Sequence, residues 1–147
     1  MVQHMLKSLP LGRLDLLLEL YSGVGLFSAF LAPRVKRMVA VESSPSACAD
    51  FEVNLDEFDN VELYEAPVEM AMRSLNLHPD VILVDPPRAG LERGVLDRIV
   101  EMAPELLVYV SCDPATLGRD ARRLVRGGYR LQQATPFDMF PQTYHIE

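Results

Sequence analysis

A cysteine stands where a buried strand gives way to a helix. The apolar run Leu106 to Val110 ends in Ser111-Cys112-Asp113-Pro114, and a helix-like stretch opens at Ala115-Thr116-Leu117. Unpaired N–H groups and the positive dipole end of a helix favour the thiolate, the nucleophilic form of cysteine. Cys112 is thus a candidate for covalent chemistry, set against the plainer alternative of a small buried hydrophobe. A second reactive type lies upstream, in Asp85-Pro86-Pro87-Arg88-Ala89-Gly90. Consecutive prolines cannot continue a helix and hold the chain extended, so a stiff loop presents the Asp85 carboxylate just past an apolar run. An ordinary loop acid is the competing reading.

A third group of residues suits a nucleoside-bearing ligand. Gly23 and Gly25, in Tyr21-Ser22-Gly23-Val24-Gly25, permit a tight turn and let a ligand approach the backbone where the next helix begins. A lone Gly-x-Gly is weak. It gains weight from Glu42, which ends the next apolar run about 20 residues on, where a carboxylate accepts from ribose hydroxyls. The third position of a dinucleotide fingerprint is Ser28 here rather than glycine. S-adenosylmethionine, which has no pyrophosphate, fits that turn better than a dinucleotide; a dehydrogenase-type nucleotide domain is the weaker alternative.

Strands and helices must alternate to carry these groups. Apolar runs at Asp15 to Leu20, Met38 to Val41, Val61 to Tyr64, Val81 to Val84 and Leu106 to Val110 each suit a strand buried on both faces. Helical stretches lie between and after them, at Gly25 to Leu31, Pro45 to Leu55, Val68 to Leu75, Val95 to Met102 and Ala115 to Arg126. Gly127-Gly128 stops the last helix, and Tyr129 to Thr135 reads as a further strand. Leu117, Ala121, Leu124 and Val125 give the last helix an inward face, with Arg119, Arg122, Arg123 and Arg126 as a solvated one. The rhythm is that of an α/β fold with a mostly parallel, doubly wound sheet.

Bulk properties narrow the class further. With 147 residues, 49% hydrophobic, the chain has the length of one domain and enough apolar side chains for a core. No apolar run is long enough to span a bilayer and no secretory pattern opens the chain, so a cytoplasmic location is expected. Two cysteines and three scattered histidines provide neither a disulfide framework nor zinc-type spacing, so no metal is expected. A net charge of −7 argues against gripping nucleic acid through the whole surface.

Four blocks taken together resemble the S-adenosylmethionine-dependent RNA 5-methyluridine (uracil-C5) methyltransferases. They are Glu19-Leu20-Tyr21-Ser22-Gly23-Val24-Gly25, the Asp85 to Gly90 loop, Ser111 to Leu117, and Phe137-Asp138-Met139-Phe140-Pro141-Gln142-Thr143-Tyr144-His145-Ile146-Glu147. They stand in the family's order and spacing and cover nearly the whole chain. The resemblance implies a Rossmann-like class I methyltransferase fold acting on a uridine of rRNA or tRNA. In it Cys112 is the nucleophile, Glu147 the general base and Asp85 a contact to the target uracil. Tyr21, Gly23, Gly25, Glu42 and Asp85 would hold the cofactor. His145 is a rival for the base.

Chemistry gives an independent reason to want a thiol and a carboxylate together. Carbon 5 of uracil is too poor a nucleophile to attack a methylsulfonium, but a thiolate added at carbon 6 makes an enolate whose charge reaches carbon 5. A base must then remove the carbon 5 proton so that the thiolate can leave. A uracil in paired RNA would also have to be flipped out of its stack.

Departures from the family's pattern add expectations. Glu19 stands where relatives usually have Asp, a swap that keeps the charge, and Ser22 where they have Cys. Ala66-Pro67 replaces the usual Gly-Asp, leaving Glu65 or Glu69 to meet the adenine amine. The upstream Phe-x-Gln segment, an amino-terminal RNA-binding domain and a cysteine-rich iron–sulfur insertion are not recognisable, so an isolated catalytic domain needing a partner for RNA affinity is expected. Relatives add a final antiparallel strand after the glutamate, and its absence from this sequence predicts an incomplete sheet, with a sixth strand displaced, loosely held or completed by another copy. A cofactor-binding module without turnover is the alternative function.

Overall fold

The computed structural model describes residues 1–9 and 15–138. Five parallel strands form one sheet in the order β3-β2-β1-β4-β5, with β1 Leu16–Leu20, β2 Arg37–Glu42, β3 Val61–Glu65, β4 Val81–Val84 and β5 Leu106–Tyr109. The helices are α1 Val2–Ser8, α2 Leu26–Leu31, α3 Pro45–Asn54, α4 Val68–Ser74, α5 Arg93–Met102 and α6 Pro114–Arg126.

Strand side chains alternate between two helical layers, as a period of two requires. Leu18, Leu20, Val39, Val41 and Ile82 point into the core under α4, α5 and α6. Leu17, Met38, Ala40 and Leu83 point into the core under α1, α2 and α3. The sheet is therefore covered on both faces, and its central strands are as apolar as such burial demands.

Local signals start the helices that matter most. Asp113 caps α6 by accepting from the Thr116 N–H at 2.8 Å, and Pro114 occupies the first turn, where a missing N–H costs nothing. Ser44 and Pro45 do the same for α3, with Ser44 Oγ accepting from the Ala47 N–H at 3.4 Å.

Several expectations need correction. Tyr129 to Thr135 is not a strand: after Tyr129, residues 130–134 are all exposed, and no buried face holds the segment, Leu131 being 68% exposed. It runs toward α1 instead, where Thr135 Oγ1 lies 3.3 Å from His4 Nε2 and the Phe137 ring meets the His4 ring edge-on at 5.5 Å. The strands β3 and β5 are not buried on both faces, because they form the two edges of the described sheet. On β3 the outer polar face carries a bidentate ion pair from Arg37 to Glu62, at 2.7 and 3.0 Å. Val125 lies outside the inward face of α6, half exposed, while Asp120 is fully buried on the other flank of that face. The short helix α1, seated through Met5, was not anticipated.

Candidate active site

The carboxyl edge of the sheet gathers the reactive residues. Strand order reverses between β1 and β4, and such a switch point opens a crevice beyond the strand ends. Three hydrogen bonds continue the ladders there: Ser22 N–H to Val41 O at 3.1 Å, Asp85 N–H to Leu20 O at 3.3 Å and Val110 N–H to Val84 O at 2.9 Å. The glycine turn, the Asp85 loop and the Ser111-Cys112 segment consequently leave β1, β4 and β5 side by side.

On the β1 side the backbone turns sharply. Tyr21 has a φ of 62°, an uncommon conformation for a residue with a Cβ, and Gly23 follows at 55° and Gly25 at 86°. The two glycines do different things. A Cβ on Gly23 would meet nothing within 4 Å, so its face is open to a ligand, whereas one on Gly25 would strike Leu55 Cδ2 at 2.5 Å and Phe51 Cδ2 at 2.9 Å. Gly25 thus lets α2 start tight against α3.

Glu42 ties this turn to β2. Its Oε2 accepts from the Gly23 N–H at 2.9 Å, and its Oε1 accepts from Ser43 and Ser44 N–H at 2.7 and 2.8 Å. A carboxylate offers about four acceptor positions, so Oε2 keeps one for a ligand hydroxyl. Glu65 pairs in register with Glu42 and is exposed at the end of β3, while Glu69 accepts from the Tyr21 hydroxyl at 3.2 Å. Of the two acids considered for an adenine amine, Glu65 is therefore the uncommitted one. The Tyr21 hydroxyl is held protonated, its pKa raised by burial and by the nearby Glu69 charge.

Two buried polar atoms flank the turn without a hydrogen-bond partner among the described residues, Glu19 Oε1 and Ser22 Oγ. The Glu19 carboxyl is 1% exposed and takes a 2.5 Å hydrogen bond from Ser28 Oγ. Burial, with Asp85 nearby, pushes its pKa up to about 8, so the Asp-to-Glu swap does not place a charge here near neutral pH. Orphaned buried polar atoms call for a ligand or water, and an open glycine turn beside them fits a small polar cofactor.

On the β5 side Cys112 is half-buried. A tight turn holds it: the Asp113 N–H donates to Ser111 Oγ at 3.2 Å and Ser111 Oγ donates to Asp113 O at 3.0 Å. The Asp113 carboxyl titrates below the usual range, chiefly through the Thr116 N–H it accepts from, with Arg88 of the Asp85 loop contributing its charge. Asp85 itself is exposed at the end of β4. The other cysteine is a different case. Cys48 is buried, its Sγ lies 3.6 Å from Glu42 O, and burial with Glu65, Glu42 and Glu52 nearby pushes its thiol up, away from reactivity.

The Asp85 loop and the Cys112 segment thus leave adjacent strands, with Tyr21, Gly23 and Gly25 after β1 and Glu42 at the end of β2. Glu147 and His145 lie outside the described residues. Sequence reasoning missed Asp120, Arg119 and Tyr109, which hydrogen-bond one another behind the Asp85 loop. A signal existed: Asp120 lies three residues after Leu117 and four before Leu124, an acid on an apolar face. No cluster of His, Cys, Asp and Glu suited to a metal occurs among the described residues, and no helix there is long and apolar enough to cross a membrane.

This sheet, with its switch-point crevice and glycine turn, is the Rossmann-like class I methyltransferase fold. A precorrin-6y C5,15-methyltransferase from Geobacter metallireducens superposes with a TM-score of 0.80 over 99% of this chain and 83% of its own, at 20% identity, a likeness of fold alone. Closer in sequence is the Pyrococcus abyssi tRNA (uracil-54, C5)-methyltransferase, solved in complex with S-adenosyl-L-homocysteine. Its TM-score is 0.83, with 32% identity over 99% of this chain and 35% of that one. A protein named an uncharacterised RNA methyltransferase from Thermotoga maritima is 38% identical over 149 residues, covering 100% of this chain and 34% of the relative. A sequence model of the tRNA (uracil-5-)-methyltransferases matches residues 69–147, and the chain belongs to that family. It spans about a third of the length of these two relatives.

Proposed function

We propose that residues 1–147 form the catalytic domain of an S-adenosylmethionine-dependent RNA (uracil-C5) methyltransferase. The observation that supports this reading is the pairing of β4 with β5, whose carboxyl ends lead into the Asp85 loop and the Ser111-Cys112 segment, in a chain of that family. The substrate is a uridine of tRNA or rRNA. With a net charge of −7, the domain depends on a further RNA-binding segment or partner for affinity.

Bound S-adenosylmethionine would supply an electrophilic methyl group. Glu42 and the open face of Gly23 would hold its nucleoside end, with Glu65 in reach of the base. The Cys112 thiolate would add to carbon 6 of the uracil and break the 5,6 double bond, giving an enolate whose charge makes carbon 5 nucleophilic toward such a methyl group. Asp85 orients the ring by its edge. Glu147 would take the carbon 5 proton and pass it to solvent while the double bond reforms and the thiolate is expelled, so the thiolate and the carboxylate are regenerated and one proton is released for each methyl group transferred. Self-association through the unpaired edge of β5 would show as a concentration-dependent mass.

Product analysis tests the reading. After incubation with S-adenosylmethionine and uridine-containing tRNA or rRNA, digestion to nucleosides should show 5-methyluridine, and Cys112→Ala should abolish it. Methylation of another atom, or undiminished product from the variant, would overturn it.

A further inference from the structure

Asp120 is a carboxylate with no exposed surface, on the face of α6 that packs beneath the Asp85 loop. A buried carboxylate stripped of partners is strongly destabilising, so a chain that keeps one there must satisfy it. Three donors do so, each from a different piece of the site. Asp120 Oδ2 accepts from the Leu91 N–H at 2.8 Å, where the Asp85 loop ends, and from the Tyr109 hydroxyl at 2.7 Å, where β5 ends. Oδ1 accepts from Arg119 Nε at 2.8 Å, and that guanidinium reaches the loop as well, donating from Nη2 to Ala89 O at 2.8 Å. Between these contacts Gly90 takes a φ of 74°. A Cβ there would meet Asp120 Oδ2 at 2.5 Å and Arg119 Nη2 at 2.7 Å, so the loop lies directly on the pair.

We infer that Asp120, with Arg119, is a positioning residue: it clamps the loop that presents Asp85 onto the helix whose first turn follows Cys112. Neither side chain need touch substrate. One carboxylate fixes the end of the loop, the end of β5 and its own helix, and so sets the distance between the group that orients the uracil and the sulfur that attacks it. Misplacement of a reacting group by about 1 Å can cost about a hundredfold in rate. Tyr109 belongs to the same clamp; burial and the Asp120 charge keep its hydroxyl protonated and therefore a donor. The inference rests on the proposed roles of Cys112 and Asp85 for its catalytic consequence, but not for its structural one.

The test compares wild type with Asp120→Asn and with Arg119→Gln, the latter a partly exposed side chain whose loss leaves the fold intact if the first variant does not fold. Amide hydrogen exchange, binding of S-adenosylhomocysteine, and methyl transfer as a function of RNA concentration up to saturation, in single turnover and at steady state, are measured on each. The clamp predicts exchange about tenfold faster or more in 88–92 with 38–41 unchanged, and cofactor affinity within about twofold. It also predicts a single-turnover rate at least about tenfold lower, with the RNA KM little changed. Unchanged exchange at 88–92 in both variants overturns the clamp, as does an equal loss of protection across the whole sheet. If wild type transfers no methyl group while the local exchange difference holds, the clamp stands and the proposed reaction falls.

Discussion

The Glu42 carboxylate closes the glycine turn from the neighbouring strand, accepting the Gly23 N–H at 2.9 Å through Oε2 while Oε1 holds the two amides that follow it. A single side chain at the end of β2 therefore shapes the loop at the end of β1. Glu42→Ala should lower S-adenosylhomocysteine affinity about tenfold or more, and cost about 1 kcal/mol of stability from the lost amide contacts. Isothermal titration and urea unfolding give the two numbers. Unchanged affinity would remove Glu42 from the cofactor site.

The two glycines of the turn should separate under substitution. Gly25→Ala adds a methyl against Leu55 and Phe51 at distances below van der Waals contact, on top of a left-handed φ of 86°. Overpacking and backbone strain together should cost about 2–4 kcal/mol. Gly23→Ala meets open space and carries only the backbone term, about 1 kcal/mol. Its methyl projects where a ligand would approach, so Gly23→Ala should impair cofactor binding while melting close to wild type. Equal melting temperatures for the two variants would contradict this division of labour.

Glu19 should give stability a pH dependence. Its folded-state pKa of about 8 exceeds the ordinary value of 4.5, so across that interval the native protein holds a proton that the unfolded chain has lost. Stability then falls as pH rises: the contribution is fully present below 4.5 and is lost as pH passes through 8. The effect is on the order of a few kcal/mol. Glu19→Gln should be less sensitive to pH over the same range, its urea midpoint gaining on wild type as pH rises from 5 to 8. Parallel pH profiles for the two proteins would refute a neutral buried Glu19.

The elements that position the site were legible because their burial is one-dimensional. Met38 to Val41 and Val81 to Val84 are runs of consecutive apolar residues, and such a run between helices in a doubly wound sheet has little alternative to a central strand. The Asp113-Pro114 pair announced the start of α6 through the cap chemistry it performs. The location of Cys112 follows from that cap together with the apolar run Leu106 to Val110 before it. Tyr129 to Thr135 misled because a stretch that follows a helix stop in this rhythm suits a strand, yet nothing local shows whether a neighbour exists to pair with it. The outer edge of β5 carries no paired strand among the described residues.

Asp120 was legible only as an acid on an apolar helix face; its partners were not. Its environment is assembled from the Asp85 loop, β5 and α6, residues up to 29 positions apart, and no local pattern encodes that meeting. The same holds for Glu19, whose type suggests a charge while its burial beneath α2 removes it. Helix α1 escaped because seven residues with no side-chain cap give a weak periodic signal, and its place is set by packing of Met5.

The claim that Cys112 attacks carbon 6 is tested most directly with RNA carrying 5-fluorouridine. Fluorine in place of the carbon 5 proton leaves nothing for a base to remove after methyl transfer, so the sulfur–carbon bond persists and can be mapped by mass spectrometry. Incubated with S-adenosylmethionine, the wild type and Cys48→Ala should carry the nucleotide on the peptide containing Cys112, and Cys112→Ala should carry none. An adduct that survives Cys112→Ala, or none at all with an RNA that the protein methylates, would contradict the account.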